Sequence, residues 1–339
     1  MQQMKLGRTG ITAGRTAFGV LPLQRTDKDE AVRILQRAYD GGIDFYDTAH
    51  AYSDSEEKIG LALASNRKTI TIATKTHAPD RKTMEEHLKQ SLFMLKTDYI
   101  DIYQLHNPVT VPLPGSELYD GMEALKKSGA IRFIGITSHR LKNAVEAARS
   151  GLYDTVQFPL SYLSTDEDLG LIDVCRENNV GLIAMKALSG GLVSSARAAF
   201  AFLRQYETVL PIWGVQRIHE LEEFLEMEHN PPALDAALSA VIEEDRAELC
   251  GSFCRACGYC QPCPAGIPIF MAARMSLLLR RMPWQQFMSA EWRASMEKIE
   301  DCTGCGHCMD HCPYGLNTPE LLRANLADYR EFFKEHGGA

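Results

Sequence analysis

The sequence predicts an α/β chain, a (β/α)8 barrel of the TIM type followed by a small, mainly helical, cysteine-rich domain. Eight apolar runs of strand length alternate with longer amphipathic segments from residue 16 to about residue 228. Parallel neighbours need helical crossovers, so eight such units can close on themselves. Nine of the ten cysteines then fall between Cys250 and Cys312, and the chain changes character. The rival, a doubly wound open sheet, usually carries Gly-x-Gly-x-x-Gly after its first strand, and no such turn occurs here.

The expected strands are Thr16 to Leu21, Ile43 to Asp47, Thr69 to Thr74, Ile100 to Leu105, Phe133 to Thr137, Thr155 to Leu160, Gly181 to Ala187 and Val209 to Val215. Segments such as Asp29 to Tyr39 and Thr83 to Leu95 repeat apolar residues at i, i+3, i+4 and i+7, the helical period. Gly41 and Gly42 fit the end of the first helix. Asn230, Pro231 and Pro232 suggest a boundary, dividing the chain into a barrel over 1–232 and a second domain over 233–339. In the latter, Ile269 to Arg281 and Pro283 to Ile299 read as helices.

At 339 residues, 45% hydrophobic and 24% charged, the composition is that of a globular chain. A formal charge of -8 offers no attraction for nucleic acid or an anionic membrane, so neither is an expected partner. Arg15 interrupts the only apolar candidate for a signal segment, and no run of about 18 uncharged apolar residues occurs. The expectation is a cytoplasmic protein with reduced thiols, where a dense cysteine group reads first as metal ligation.

Barrel enzymes do their chemistry at the C-terminal ends of the strands. Asp47 ends the second strand, Tyr52 follows in the loop, Lys75 ends the third and His106 ends the fourth. Singly, each has a plain reading: a turn former, a packing ring, a core histidine. Lys75 is the exception, because an ammonium at the end of an apolar strand needs a partner, and Asp47 is the nearest candidate. Together they make a proton-transfer set. A cation beside a phenol favours its ionised form and makes it a better acid, while Asp47 holds the cation and His106 orients a carbonyl.

Asp47-Thr-Ala-His-Ala-Tyr52, Ala73-Thr-Lys75, Leu105-His106-Asn-Pro, the opening Met-Lys-Leu-Gly-Arg-Thr-Gly and Phe133-Ile-Gly-Ile-Thr-Ser-His139 resemble the aldo-keto reductase family over about the first 230 residues. The resemblance implies an oxidoreductase that interconverts a carbonyl and an alcohol with NADPH or NADH, Tyr52 being the general acid/base. It also implies that Thr137, Ser138 and Gln157 hold the carboxamide and that Met185 lies where many relatives stack an aromatic ring. Leu188 to Gly191 would offer N–H groups to the pyrophosphate, although Gly190 and Gly191 equally suit an ordinary turn. Gln216 and Arg217 fall where relatives bind the 2′-phosphate of NADP, but Glu220 sits near an often basic position, leaving the choice of nicotinamide open. Ser53-Asp54-Ser55-Glu56 stands where many members have Gly-x-Ser-Glu, a local loop difference.

The cysteines run as Cys254-x2-Cys257-x2-Cys260-x2-Cys263-Pro264 and Cys302-x2-Cys305-x2-Cys308-x3-Cys312-Pro313. Three thiolates at successive spacings of three wrap three corners of a cubane, and the cysteine before proline serves the other cluster in two-cluster proteins. Structural zinc prefers two separated pairs and is the weaker alternative. The pattern resembles bacterial dicluster ferredoxins over about residues 250 to 320, in the α-helical rather than the compact form. The resemblance implies one [4Fe-4S] cluster on Cys254, Cys257, Cys260 and Cys312, and another on Cys302, Cys305, Cys308 and Cys263. Cys250 and Cys175 read as non-ligand thiols.

A nicotinamide moves two electrons as hydride and each cluster moves one, and no flavin motif bridges them. The ferredoxin-like domain is therefore expected to be structural, to dock a partner, or to exchange electrons with a redox protein. The small-molecule partner is an aldehyde or ketone. A nicotinamide-binding redox sensor, or an electron-transfer subunit acting on a protein, is the alternative. It fits less well, because a sensor need not keep a proton donor.

Overall fold

The computed structural model describes residues 1–193, 195–249 and 253–336. It divides into two compact units, one of Met1–Ala187 with Arg197–Ser239, the other of Leu188–Ala196 with Ala240–Ala339.

The first unit is a closed parallel barrel entered through a hairpin. Strands β1 (Gln3–Lys5) and β2 (Thr12–Gly14) pair antiparallel. The barrel strands are β3 (Ala17–Gly19), β4 (Phe45–Asp47), β5 (Thr71–Thr76), β6 (Ile100–His106), β7 (Ile131–Thr137), β8 (Thr155–Pro159), β9 (Gly181–Met185) and β10 (Val209–Gly214). They pair in sequence order, and β10 closes on β3. All eight expected strands are present. β3 stops early because Pro22 opens a 3-10 turn over Leu21–Arg25. The hairpin was not expected, since three-residue strands are too short to show a period. Its Met4, Leu6, Ile11 and Ala13 pack into one core with Ala17, Phe45, Ala73, Ile102, Ile183 and Leu210.

The crossover helices follow their sequence signals. Asp27 accepts the N–H groups of Asp29 and Glu30 and so starts the helix Lys28–Asp40, which buries Ala31, Ile34, Leu35 and Ala38 at helical spacing. Asp80 likewise accepts from Thr83 N–H at 2.8 Å, and the helix it starts, Arg81–Leu95, buries Met84, Leu88, Ser91 and Leu95. Cys175 lies buried on the helix Asp166–Glu177, as read.

The second unit is mainly helical. Its elements are most of Ala236–Leu249, short helices at Ile269–Ala272, Met275–Arg281, Ala290–Glu297 and His307–Asp310, and the long Thr318–His336. The two helices expected over Ile269 to Arg281 and Pro283 to Ile299 are each broken. Chain direction changes at Ala273–Arg274, where Arg274 is buried and donates to the Gly190 carbonyl at 2.8 Å. Ser289 starts a new helix by accepting from Trp292 N–H, a role in which serine competes with helix continuation. Around these breaks Ile267, Met275, Leu278, Phe287, Met296 and Tyr329 form the buried core, and Tyr329 Oη donates to the Phe287 carbonyl at 2.8 Å. Among the described residues no helix is long and apolar enough to cross a membrane. Cys250 lies outside the described residues.

Candidate active site and cysteine cavities

Strand register brings the polar strand ends together. Asp47 pairs with Ala73, Lys75 with Gln104, His106 with Thr137, and Thr137 with Gln157. Residues two apart point to the same side, so Lys75 follows Ala73 on the inner face, and His106 follows Gln104. Lys75 is fully buried, and its Nζ donates to Asp47 Oδ2 at 2.7 Å and to the Thr48 carbonyl at 2.5 Å. Gln104 Nε2 and Gln157 Nε2 reach the same carboxylate at 3.4 Å. Burial pushes the Asp47 carboxyl up, and the Lys75 ammonium and the two amides pull it back. Three donors on one carboxylate fit the ionised form.

Tyr52 is half-buried in the loop after β4, where its N–H donates to the Ala49 carbonyl at 2.9 Å. Lys75 Nζ lies 5.1 Å from the centre of its ring. The His106 ring stands edge-on, 5.9 Å away centre to centre at 80°. Asp47, Tyr52, Lys75 and His106 are thus brought together. The electrostatics differ from the sequence expectation. Burial holds the Tyr52 hydroxyl above its ordinary value, and Lys75 only partly offsets it, so at neutral pH the phenol keeps its proton. His106 is pushed down to about 3 by burial first, then by Lys75, His77 and Lys186, and is neutral at pH 7.

The residues read as cofactor contacts fall in several settings. Thr137 and Ser138 are buried at the end of β7. Thr137 Oγ1 donates to Asn107 Oδ1 at 3.0 Å, and Ser138 Oγ donates to the Arg140 carbonyl at 3.1 Å. Gln157 Oε1 accepts from Gln104 Nε2 at 2.8 Å. Met185 is buried in the barrel core cluster. Leu188, Gly190 and Gly191 belong to the second unit, in a tight turn where the N–H groups of Gly191 and Val193 donate to the Leu188 carbonyl at 2.9 and 3.3 Å. Gly190 and Gly191 have φ of +67° and +91°, values that favour glycine. The N–H groups of Gln216 and Arg217 donate to Glu220 Oε2 at 2.7 and 3.0 Å, so a carboxylate already caps the helix Ile218–His229.

Sequence reading missed Gln104 and the imidazoles around Tyr52. Gln104, a polar side chain in the apolar Ile-Asp-Ile-Tyr-Gln-Leu-His strand two residues before His106, was the available signal. It is fully buried, and its Oε1 has no hydrogen-bond partner.

In the second unit two cavities collect the cysteines. One is lined by Cys263, Cys302, Cys305 and Cys308, the other by Cys254, Cys257, Cys260, Cys308 and Cys312. Each draws on both cysteine runs, and Cys308 borders both. Gly304 and Gly306, with φ of +67° and +78°, let the chain turn between successive thiols. Burial raises Cys257, Cys308 and Cys260, the last to about 12, and neighbouring thiols add to the rise. Thiolates so placed repel one another unless a cationic centre lies among them, a fit to metal ligation. The eight cysteines of the two runs carry no disulfide.

A closed barrel with an ion-paired lysine, a phenol and a neutral imidazole at the C-terminal mouth is the frame of a barrel oxidoreductase. The chain belongs to the Aldo/keto reductase family, whose model matches residues 10–201. Residues 253–316 match a 4Fe-4S dicluster domain. The oxidoreductase YqkF of Bacillus subtilis, described as uncharacterized, is 31% identical over 210 residues, covering 57% of this chain and 67% of that one. Methylglyoxal reductase DkgA of Escherichia coli is 35% identical over 132 residues, 37% of this chain and 48% of that protein. The aldo-keto reductase AKR11C1 of Bacillus halodurans, in its holo form, has the same fold with a TM-score of 0.64 at 24% identity, over 72% of this chain and 96% of that one.

Proposed function

We propose that the barrel interconverts an aldehyde or ketone and its alcohol, with Tyr52 as general acid/base. The supporting observation is the buried Lys75–Asp47 pair, 2.7 Å apart, beneath the Tyr52 ring and beside a neutral His106. A nicotinamide, when bound, supplies the hydride. Thr137, Ser138 and Gln157 would hold its carboxamide, Met185 would lie beside its ring, and Gln216 and Arg217 would serve its phosphates and ribose. The orphaned acceptor of Gln104, next to Gln157, suits an amide donor.

The protein residues then divide the work. Neutral His106 donates an N–H to the carbonyl oxygen and orients it. As negative charge grows on that oxygen, the Tyr52 O–H gives up its proton to it, and Lys75 stabilises the phenolate left behind. Asp47, held by Lys75, Gln104 and Gln157, keeps the ammonium in place. In the reverse direction Tyr52 takes the alcohol proton. With Glu220 occupying the N–H groups at the start of its helix, a 2′-phosphate meets a carboxylate there, and we read the cofactor as NADH.

For the second unit the reading is two [4Fe-4S] clusters. Cys254, Cys257, Cys260 and Cys312 would hold one, and Cys263, Cys302, Cys305 and Cys308 the other. Their cavities are walled by Ile267, Ile269, Leu316 and Leu322 of the unit's own core, which favours a structural role. Cys305 is exposed, and this favours a second role, docking of a redox protein. Replacing Tyr52 with phenylalanine tests the barrel reading: kcat for carbonyl reduction should fall by about 10²- to 10⁴-fold, and unchanged turnover would end it. Turnover retained by a folded, cluster-free cysteine variant would exclude obligatory electron transfer.

A further inference from the structure

Three histidines outside the four-residue set crowd the same mouth of the barrel. His50 lies in the loop after β4, His77 follows β5, and His87 is on the helix Arg81–Leu95. The rings of His50 and His87 stack 3.8 Å apart at 16°. His77 is 5.4 Å from His87 and 6.4 Å from His50, centre to centre. It is also 6.5 Å from His106, which joins the group to the site of carbonyl orientation. Two of the rings have one nitrogen fixed: His50 Nε2 contacts Gln90 Oε1 and His87 Nδ1 contacts Thr76 Oγ1, both at 2.8 Å. His50 Nδ1 is buried with no hydrogen-bond partner.

Three imidazoles converge here, and one buried ring nitrogen among them, His50 Nδ1, has no partner within the protein. Core packing does not explain it, since His77 is exposed and His50 and His87 are partly so. We propose that His50, His77 and His87 bind an anionic group, a carboxylate or a phosphate, at the far end of the carbonyl substrate. The proposal rests on the carbonyl-reductase reading and names its substrate class. The short reach from His77 to His106 suits a short-chain oxoacid or a sugar phosphate.

Charges of both signs surround the three rings. Lys75 and Lys186 act on His106 from β5 and from the end of β9. Asp80 and Glu86 face His87 from its own helix and its cap, and Glu56 faces His50. Burial and the neighbouring imidazoles hold His77 and His87 below the ordinary histidine range. An anion among them favours their charged forms, so its binding takes up a proton. By reciprocity, raising the pH past the histidine range weakens the anion by about tenfold per unit for each proton taken up.

The test uses the full-length holoenzyme, purified anaerobically, with NADH and NADPH. Three carbonyl substrates are compared: 4-oxobutanoate, glyceraldehyde 3-phosphate and butanal. The ratio of kcat/KM for an anionic substrate to that for butanal should exceed about tenfold at pH 6 and decline steeply toward pH 8. Whichever anionic substrate shows the larger ratio identifies carboxylate or phosphate as the group taken. His77→Asn and His87→Asn should each lower the ratio about tenfold, read in KM for the anionic substrate more than in kcat. In the wild type, adding succinate or inorganic phosphate should raise the pKa of the two histidines followed by NMR. Butanal reduced as well as both anions at every pH overturns the proposal and leaves the carbonyl-reductase reading standing. No reduction of any of the three overturns both.

Discussion

His106 gives the most direct check on the electrostatics of the mouth. Its ring is pushed down to about 3 in the folded chain, against 6.5 when free. The sign follows from which state takes the proton. Above pH 6.5 neither state binds one, and the contribution to stability is complete. Below it the unfolded chain is protonated while the folded ring stays neutral, so stability falls until the folded ring itself titrates near pH 3. At pH 5 the difference amounts to about 2 kcal/mol, a ceiling because the ring is partly exposed. Urea unfolding at pH 7 and pH 5, on the wild type and on His106→Gln, measures it. The wild type should lose up to about 2 kcal/mol more than the variant between the two conditions. Equal losses would refute the reasoning, as would a His106 imidazolium seen by NMR at pH 5, because a charged ring repelled by Lys75 has no place in the proposed site.

Other outcomes follow from the same geometry. Lys75→Met strands a buried carboxylate and should cost about 3–5 kcal/mol, whereas adding Asp47→Asn should recover about 1–3 kcal/mol of it; strict additivity in the unfolding cycle would mean the pair is not coupled. Glu220→Lys frees the helix start and adds a cation, so the preference for NADPH over NADH should rise about tenfold in kcat/KM, and an unchanged ratio would remove Glu220 from cofactor choice. Cys260→Ser should lose about half the bound iron on anaerobic analysis, because a buried ligand of one cluster is gone; full iron content would show that Cys260 is not a ligand.

The barrel was legible because its signals are local. Each strand is a run of apolar residues and each crossover a helical period. The charged set was legible for a related reason: a lysine ending an apolar strand demands a counter-ion. What the sequence hid depends on register and distance. Gln104 and Gln157 look unrelated until their strands lie two apart in the barrel, where they bond each other and both reach the Asp47 carboxylate. The three outer histidines come from a loop, a strand end and a helix, a convergence that no spacing reveals. The balance on Tyr52 is not legible in the sequence, because the effect of a neighbouring cation can be read from residue types, while the larger effect of burial requires the fold. The helix breaks at Arg274 and Ser289 were hidden for the same reason, one depending on a carbonyl far away in sequence.

The two cysteine cavities are interleaved rather than consecutive, since Cys263 joins the later run and Cys312 the earlier one. The segment 264–301 is therefore tethered at both ends, as a lace is by crossing eyelets. With the two clusters proposed above in place, oxidative loss of one should loosen the housing of the other, because each would hold an end of this segment.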